Sequence, residues 1–127
     1  MKKMILIFSH KLTEEQDAYA RKYFDIEEFV YLPKELQYIW SNLDPDIEKL
    51  NLQKIKNFIV NSSHKDDVIL VQGDFGACYE IVTFCKSLGI VPVYATTKRI
   101  VKEYINDEGK LEKKSIFEFR RLREYGV

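Results

Sequence analysis

A single α/β domain with a mostly parallel sheet is what this 127-residue chain predicts. Three observations predict it. Short apolar runs recur at residues 4–8, 29–32, 68–71 and 91–95, and unbroken runs of this kind are how strands buried on both faces read. Each of the first three is followed by a stretch with helical periodicity or a helix-start signal. The length suits one domain of ~100–150 residues, and 46% hydrophobic against 31% charged residues is enough apolar mass to fill a core.

Residues 4–8 form the first strand. Lys2 and Lys3 ahead of them resemble a secretion signal, but the apolar run is too short and Ser9-His10-Lys11 follows without a small-residue cleavage site. No segment approaches the ~20 apolar residues of a membrane span, so a cytoplasmic protein is expected. Thr13-Glu14-Glu15-Gln16 matches a capping box, with Thr13 as N-cap and Gln16 reaching back, and starts a helix ending near Phe24. Residues 29–32 are the second strand, stopped by Pro33. A short helix carries Leu36, Ile39 and Trp40. Asp44-Pro45 then starts another helix, with Asp44 capping, Pro45 at the first helical position, and Ile47, Leu50, Ile55, Phe58 and Ile59 on its apolar face.

The third strand, residues 68–71, leads through Gln72-Gly73-Asp74-Phe75-Gly76 into a helix over about 77–88, with Gly89 as its stop. Residues 91–95 are the fourth strand, with Pro92 near its start, where a missing donor is tolerated. Asn106-Asp107-Glu108-Gly109 is a turn between strands at 100–105 and 111–119, hence a β-hairpin, and Arg120-Arg121-Leu122-Arg123 closes the chain as a basic tail. The order βαβαβαβ, with right-handed crossovers, gives a Rossmann-like sheet with helices on both faces. Residues 1–98 are its core and 99–127 the hairpin and tail, within one domain.

Composition narrows the partners. Twenty basic against twenty acidic residues give zero net charge, which argues against a protein that coats DNA, and nothing marks a membrane-surface binder. The charge is uneven along the chain: residues 13–48 carry 10 acids against 3 bases, and residues 98–127 carry 9 bases against 6 acids. Cys78 and Cys85 lie seven apart in one predicted helix, roughly 10 Å between Cα atoms, beyond disulfide reach. Two buried thiols are expected.

In an open parallel sheet, ligands bind outside the carboxyl ends of the strands. That rule selects Ser9-His10, the Leu32-Pro33 region, Gln72 to Gly76, and Thr96-Thr97-Lys98-Arg99. His10 ends a buried strand, and an imidazole takes and gives protons near neutral pH; it also reads as a partly buried side chain, with Ser9 capping a turn. Gly73 and Gly76 allow close backbone approach at a helix start, while Asp74 reads equally as helix N-cap and as a ribose or base contact. Thr96 and Thr97 offer hydroxyls, and Lys98 and Arg99 fixed cations, suited to a phosphodiester; the bland reading is a polar loop. Trp40, at helical spacing from Leu36, reads as core. No His/Cys/carboxylate cluster has metal-ligand spacing, so neither metal nor cofactor is expected. His64 and Asp66-Asp67 fall at the opposite edge.

Taken together, residues 8–16, 36–42, 72–77 and 94–99 resemble a small family of CRISPR-associated ring nucleases, compact relatives of the CARF sensor domains of type III systems. The resemblance spans nearly the whole chain. It implies a CARF-like fold, a homodimer, and cyclic oligoadenylate held across the two-fold axis above the strand ends. Cleavage in such enzymes is metal-independent, through 2′-hydroxyl attack that leaves a 2′,3′-cyclic phosphate. By position, Lys98 and Arg99 would stabilise the transition state and His10 would move or orient the proton. Ser9, Gln72, Gly73, Asp74, Phe75, Gly76, Thr96 and Thr97 would bind the ligand, with Trp40 and Asn42 as adenine contacts. Two copies of Lys98 and Arg99 would match the four phosphates of cyclic tetra-adenylate. Ile100, Tyr104, Ile116 and Phe119 make the hairpin the expected dimer interface. A protein that binds the ring without cutting it is the alternative.

Overall fold

The structure, a computed structural model, describes residues 1–127. The elements are β1 (Lys3–Ile7), α1 (Glu14–Phe24), β2 (Glu28–Tyr31), α2 (Lys34–Ser41), α3 (Gln53–Ser62), β3 (Val68–Val71), α4 (Phe75–Ser87), β4 (Val91–Ile105) and β5 (Leu111–Glu124). They build one five-stranded sheet of order β2-β1-β3-β4-β5, in which only β4 and β5 pair antiparallel. The predicted Rossmann-like α/β architecture is therefore the observed one.

Alternation along the strands sends side chains to two cores. Ile5, Ile7, Ile69 and Val71 meet α2, α3 and α4 on one face; Met4, Leu6, Val68 and Leu70 meet Ala20 of α1 and Leu122 of β5 on the other. β1 and β3 are thus covered on both sides, which is why their sequences lack polar alternation. The chain turns toward β2 after β1 but toward β4 after β3. This order reversal opens a crevice between the carboxyl ends of β1 and β3, the place where doubly wound sheets receive ligands. No helix is long and apolar enough to cross a membrane.

The capping box of α1 is formed as predicted: Gln16 N donates to Thr13 Oγ1 at 3.2 Å and Thr13 N donates to Gln16 Oε1 at 3.0 Å. Gly89 follows the end of α4 with φ of 74°, a conformation that favours glycine.

Two sequence expectations are corrected. Asp44-Pro45 does not start a helix; α3 begins at Gln53. Asp44 Oδ1 accepts from Asp46 N at 2.9 Å, a local turn that competes with helix formation, and Ile47 is left exposed. Second, residues 96–99 are not a loop and 120–123 are not a tail. β4 runs unbroken for 15 residues and β5 for 14. Thr96 pairs with Arg121 and Thr97 with Phe119, so Arg120 is the extra residue of a β-bulge that bends the pair. Only residues 91–93 of β4 pair with β3, so beyond the bulge the two strands form a projecting ribbon.

The ribbon's tip is built as the sequence indicates, with Asn106 Oδ1 accepting from Glu108 N and Lys110 N and Gly109 at a φ of 76°. Since both cores lie below the bulge region, replacing residues 99–117 by Asn-Gly should leave the thermal midpoint within about 5 °C, the shift of ~1 kcal/mol. A collapse of the transition in differential scanning calorimetry would instead make the ribbon part of the cooperative unit.

Candidate functional site

The carboxyl rim of the sheet is organised around Gln72, the first residue past β3. Its backbone N–H donates to Ile7 O of β1 at 3.0 Å, its carbonyl accepts from Trp40 Nε1 of α2 at 2.9 Å, and its side-chain Oε1 accepts from Ala95 N of β4 at 2.7 Å. One residue therefore ties three elements at the switch point. Gly73 follows because a Cβ there would lie 2.8 Å from Trp40 Nε1. Trp40 is only 3% exposed, with its ring packed in the core. The expectation that Trp40 stacks on adenine is thereby corrected: neither ring face is open to a base.

Asp74 is the N-cap of α4, accepting from Ala77 N at 3.0 Å, so the capping alternative is the realised one. Asn42 caps α2 by donating from Nδ2 to Tyr38 O at 2.8 Å. Ser9 Oγ accepts from Ser41 Oγ at 2.8 Å, and Gln37 Nε2 donates to Phe8 O at 2.8 Å, which holds α2 against the end of β1. His10 is exposed, its ring edge-on to Phe8 with centroids 6.3 Å apart.

Ser9, Ser41 and Gln72 thus share one rim, whereas Thr96 to Arg99 leave it along the ribbon, and the two proposed catalytic cations do not converge. Neighbouring residues on a strand point to opposite faces. Thr97 and Arg99 lie on the α1 side, where Phe119 meets Tyr19, whereas Tyr94, Thr96 and Lys98 lie on the α4 side. Arg99 donates from Nε and Nη2 to Ser115 Oγ at 3.1 and 2.9 Å. Lys98 stands across from Glu118. The matching of four cations to four phosphates loses its basis, since Lys98 and Arg99 of one copy point to opposite faces and cannot meet on one phosphate.

Sequence reading missed the cleft beside this rim. About 530 Å³ of space is lined by Gln72, Phe75, Cys78, Tyr79 and Val82 on one side and by Tyr94, Ala95 and Tyr125 on the other. Phe75 and Tyr79 share a face of α4 and are 95% and 76% exposed. The opposite wall is fixed: Tyr125 Oη donates to Val71 O at 2.6 Å, and its ring lies 4.7 Å from that of Tyr94, over which Arg123 stacks. The i, i+4 aromatic pair was a legible signal; Tyr125, 31 positions beyond Tyr94, carried none.

A larger cavity of about 610 Å³ lies at the amino-terminal edge beside Lys3, His64 and Asp67. No strand's carboxyl end opens into it. Asp67 is buried there as a structural acceptor, taking Lys3 N at 3.1 Å and His64 N at 2.8 Å. No group of three or more His, Cys, Asp or Glu side chains is arranged to hold a metal ion.

Burial raises both thiols and the Tyr125 phenol. It pushes the Cys85 thiol up to about 12 and, with added effects of Cys78 and Tyr94, the Tyr125 phenol up to about 12. Burial also raises Cys78, against hydrogen bonding with Tyr125 and the Gly73 backbone that lowers it. Both cysteines are free.

The sequence profile of the Uncharacterized protein MJ1673 family matches residues 2–123. The "Uncharacterized protein MJ1673" of Methanocaldococcus jannaschii is 46% identical over 127 residues, covering 98% of each chain. No solved structure matches the chain.

This geometry carries two expected outcomes. Gly73→Ala forces a methyl onto the Trp40 indole and should cost about 1–3 kcal/mol in urea unfolding, with a change in the emission of the single tryptophan; an unchanged midpoint would mean that the indole yields. The unfolded chain releases the Cys85 and Tyr125 protons near the ordinary values of 9.0 and 10.0, the folded chain only near 12. The unfolded state then binds fewer protons, so stability is full below about pH 9 and falls as pH rises toward 12. Urea midpoints measured across that window check the sign.

Proposed function

The chain belongs to the MJ1673 family, and for it we propose a ring nuclease that cleaves cyclic oligoadenylates, cyclic tetra-adenylate foremost, in the type III CRISPR antiviral response. In this reading it works in the cytoplasm as a homodimer, without metal or cofactor. The observation that carries the proposal is the gathering of Ser9-His10, Ser41-Asn42 and Gln72 to Gly76 along one rim, at the switch point and beside an aromatic cleft, with the hydroxyls and cations of Thr96 to Arg99 on the ribbon that leaves it. A doubly wound sheet receives ligands there, and a cyclic nucleotide needs both of the chemistries present: cations for phosphate and aromatic surface for bases.

The reaction is an in-line displacement. The ribose 2′-oxygen bonds to the adjacent phosphorus, the P–O5′ bond breaks, and the 2′-hydroxyl proton leaves as the 5′-oxygen gains one. His10, exposed in the loop three residues past β1, is the group assigned to that proton traffic. Arg99 is assigned to the charge that develops on the phosphoryl oxygens, its guanidinium steadied by two hydrogen bonds to Ser115. Lys98, on the other face, serves in holding a phosphate.

One observation favours the non-catalytic alternative, a sensor or sponge: the His10 imidazole lies edge-on to Phe8, and no hydrogen bond or carboxylate orients it. A single assay separates the two. In EDTA, with cyclic tri-, tetra- and hexa-adenylate, the enzyme yields linear products ending in 2′,3′-cyclic phosphate, seen by chromatography with mass detection. Arg99→Ala and His10→Ala should each lower the rate ~10²–10³-fold while retaining ring binding. Rings that stay intact while bound would make the protein a sponge; rings that do not bind would end the reading.

A further inference from the structure

We propose that the cleft between α4 and the Tyr94–Tyr125 wall is a nucleobase pocket, where one adenine base lies against Phe75 and Tyr79 and accepts a hydrogen bond from Gln72. The proposal deepens the ring-nuclease reading and rests on it for the identity of the ring ligand, though the pocket can be tested without it.

Shape, surface and polarity agree. About 530 Å³ falls within the ~300–1,000 Å³ of small-molecule pockets. Single exposed apolar residues are ordinary on a protein surface. Here, however, two aromatic rings one helical turn apart stand nearly bare in water, facing a wall of two further rings. The far wall is rigid, since Tyr125 is tied to Val71 and Tyr94 is clamped between Tyr125 and Arg123. Phe75 and Tyr79 carry no such ties. The free faces of Phe75 and Tyr79 suit a flat π-system, with the fixed wall closing the cleft opposite, because stacking uses ring faces that an aliphatic ligand leaves idle.

The polar group is defined by elimination. Gln72 Oε1 accepts from Ala95 N, and since a backbone N–H only donates, the amide cannot be reversed. Gln72 Nε2 donates to no protein group and belongs to the cleft lining. A purine offers ring nitrogens as matching acceptors. No carboxylate or ammonium lines the cleft, so it takes an uncharged base rather than a phosphate. A cation lies farther off on the same face of β4, Lys98 standing about 13 Å along the strand from Tyr94.

The test uses adenosine 5′-monophosphate and the ¹⁵N-labelled full chain. Saturable shifts are expected in the amides of Cys78, Val82 and Ala95 and in the Gln72 side-chain NH₂. Phe75→Ala and Tyr79→Ala truncate exposed side chains that the fold does not need, and each should weaken binding at least about tenfold. Shifts elsewhere, no shifts, or unchanged affinity in both variants would overturn the pocket. The same amides moving with protein concentration alone would also overturn it, by identifying a second copy as the occupant. The two levels fail separately. Nucleotide binding lost in Phe75→Ala, with no cyclic oligoadenylate bound, would keep the pocket and remove the ring reading. Ring binding indifferent to both variants, with no nucleotide shifts in the cleft, would do the reverse.

Discussion

The three hydrogen bonds of Gln72 are the constraint on which the rim depends. Its N–H holds β1, its carbonyl holds α2 through the Trp40 indole, and its side chain holds β4 through Ala95. The bond to Ala95 has the widest consequence for the later strands. β3 ends at Val71, so β4 leaves its parallel partner a residue or two later, and Gln72 supplies the final tie before β4 continues alone with β5. The tight seat of Trp40 against Gly73 fixes where α4 begins, and hence where Phe75 and Tyr79 are presented.

The projecting ribbon is the second organising feature. A two-stranded ribbon is marginal by itself in water. This one is supported at its base by Phe119 against Tyr19 and along its length by cross-strand pairs. Tyr104 donates to Glu112, which raises the phenol and holds the carboxyl below its usual range, and Glu103 pairs with Lys113. Lys102 directly faces Lys114, an unfavourable pair. Val101, Ile105, Leu111 and Phe117 remain exposed among these charges. Alternation along β4 gives the ribbon two chemically distinct faces, Arg99 on the α1 side and Lys98 on the α4 side. Any ligand spanning the rim meets them separately.

Division of labour along the rim results from this arrangement. The β1–α1 loop carries the titratable imidazole, β4 carries hydroxyls and cations, and α4 with Tyr94 and Tyr125 carries apolar surface. Of the thiols, Cys85 lies wholly inside the core and Cys78 lines the cleft, both raised by burial.

The sequence by itself determined the parts whose physics is local. The strand runs of β1 and β3, the Thr13–Gln16 capping box, the Asn106–Gly109 turn, the Gly89 stop and the separation of the two cysteines each depend on residues within a few positions of one another. They appear in the structure nearly where the pattern put them. What only the tertiary structure decided depends on distant partners. Thr96-Thr97-Lys98-Arg99 reads as a polar loop until β5 pairs with it and makes it strand, which splits Lys98 from Arg99. Asp44-Pro45 carries a valid helix start, but the Asp44 carboxylate accepts from Asp46 N in a local turn and α3 begins only at Gln53. Trp40 could be core or ligand platform by spacing, and only the carbonyl of Gln72, 32 positions on, draws it inside. The cleft wall of Tyr94 and Tyr125 exists because an antiparallel strand returns the end of the chain to β4, a long-range pairing that no local pattern encodes.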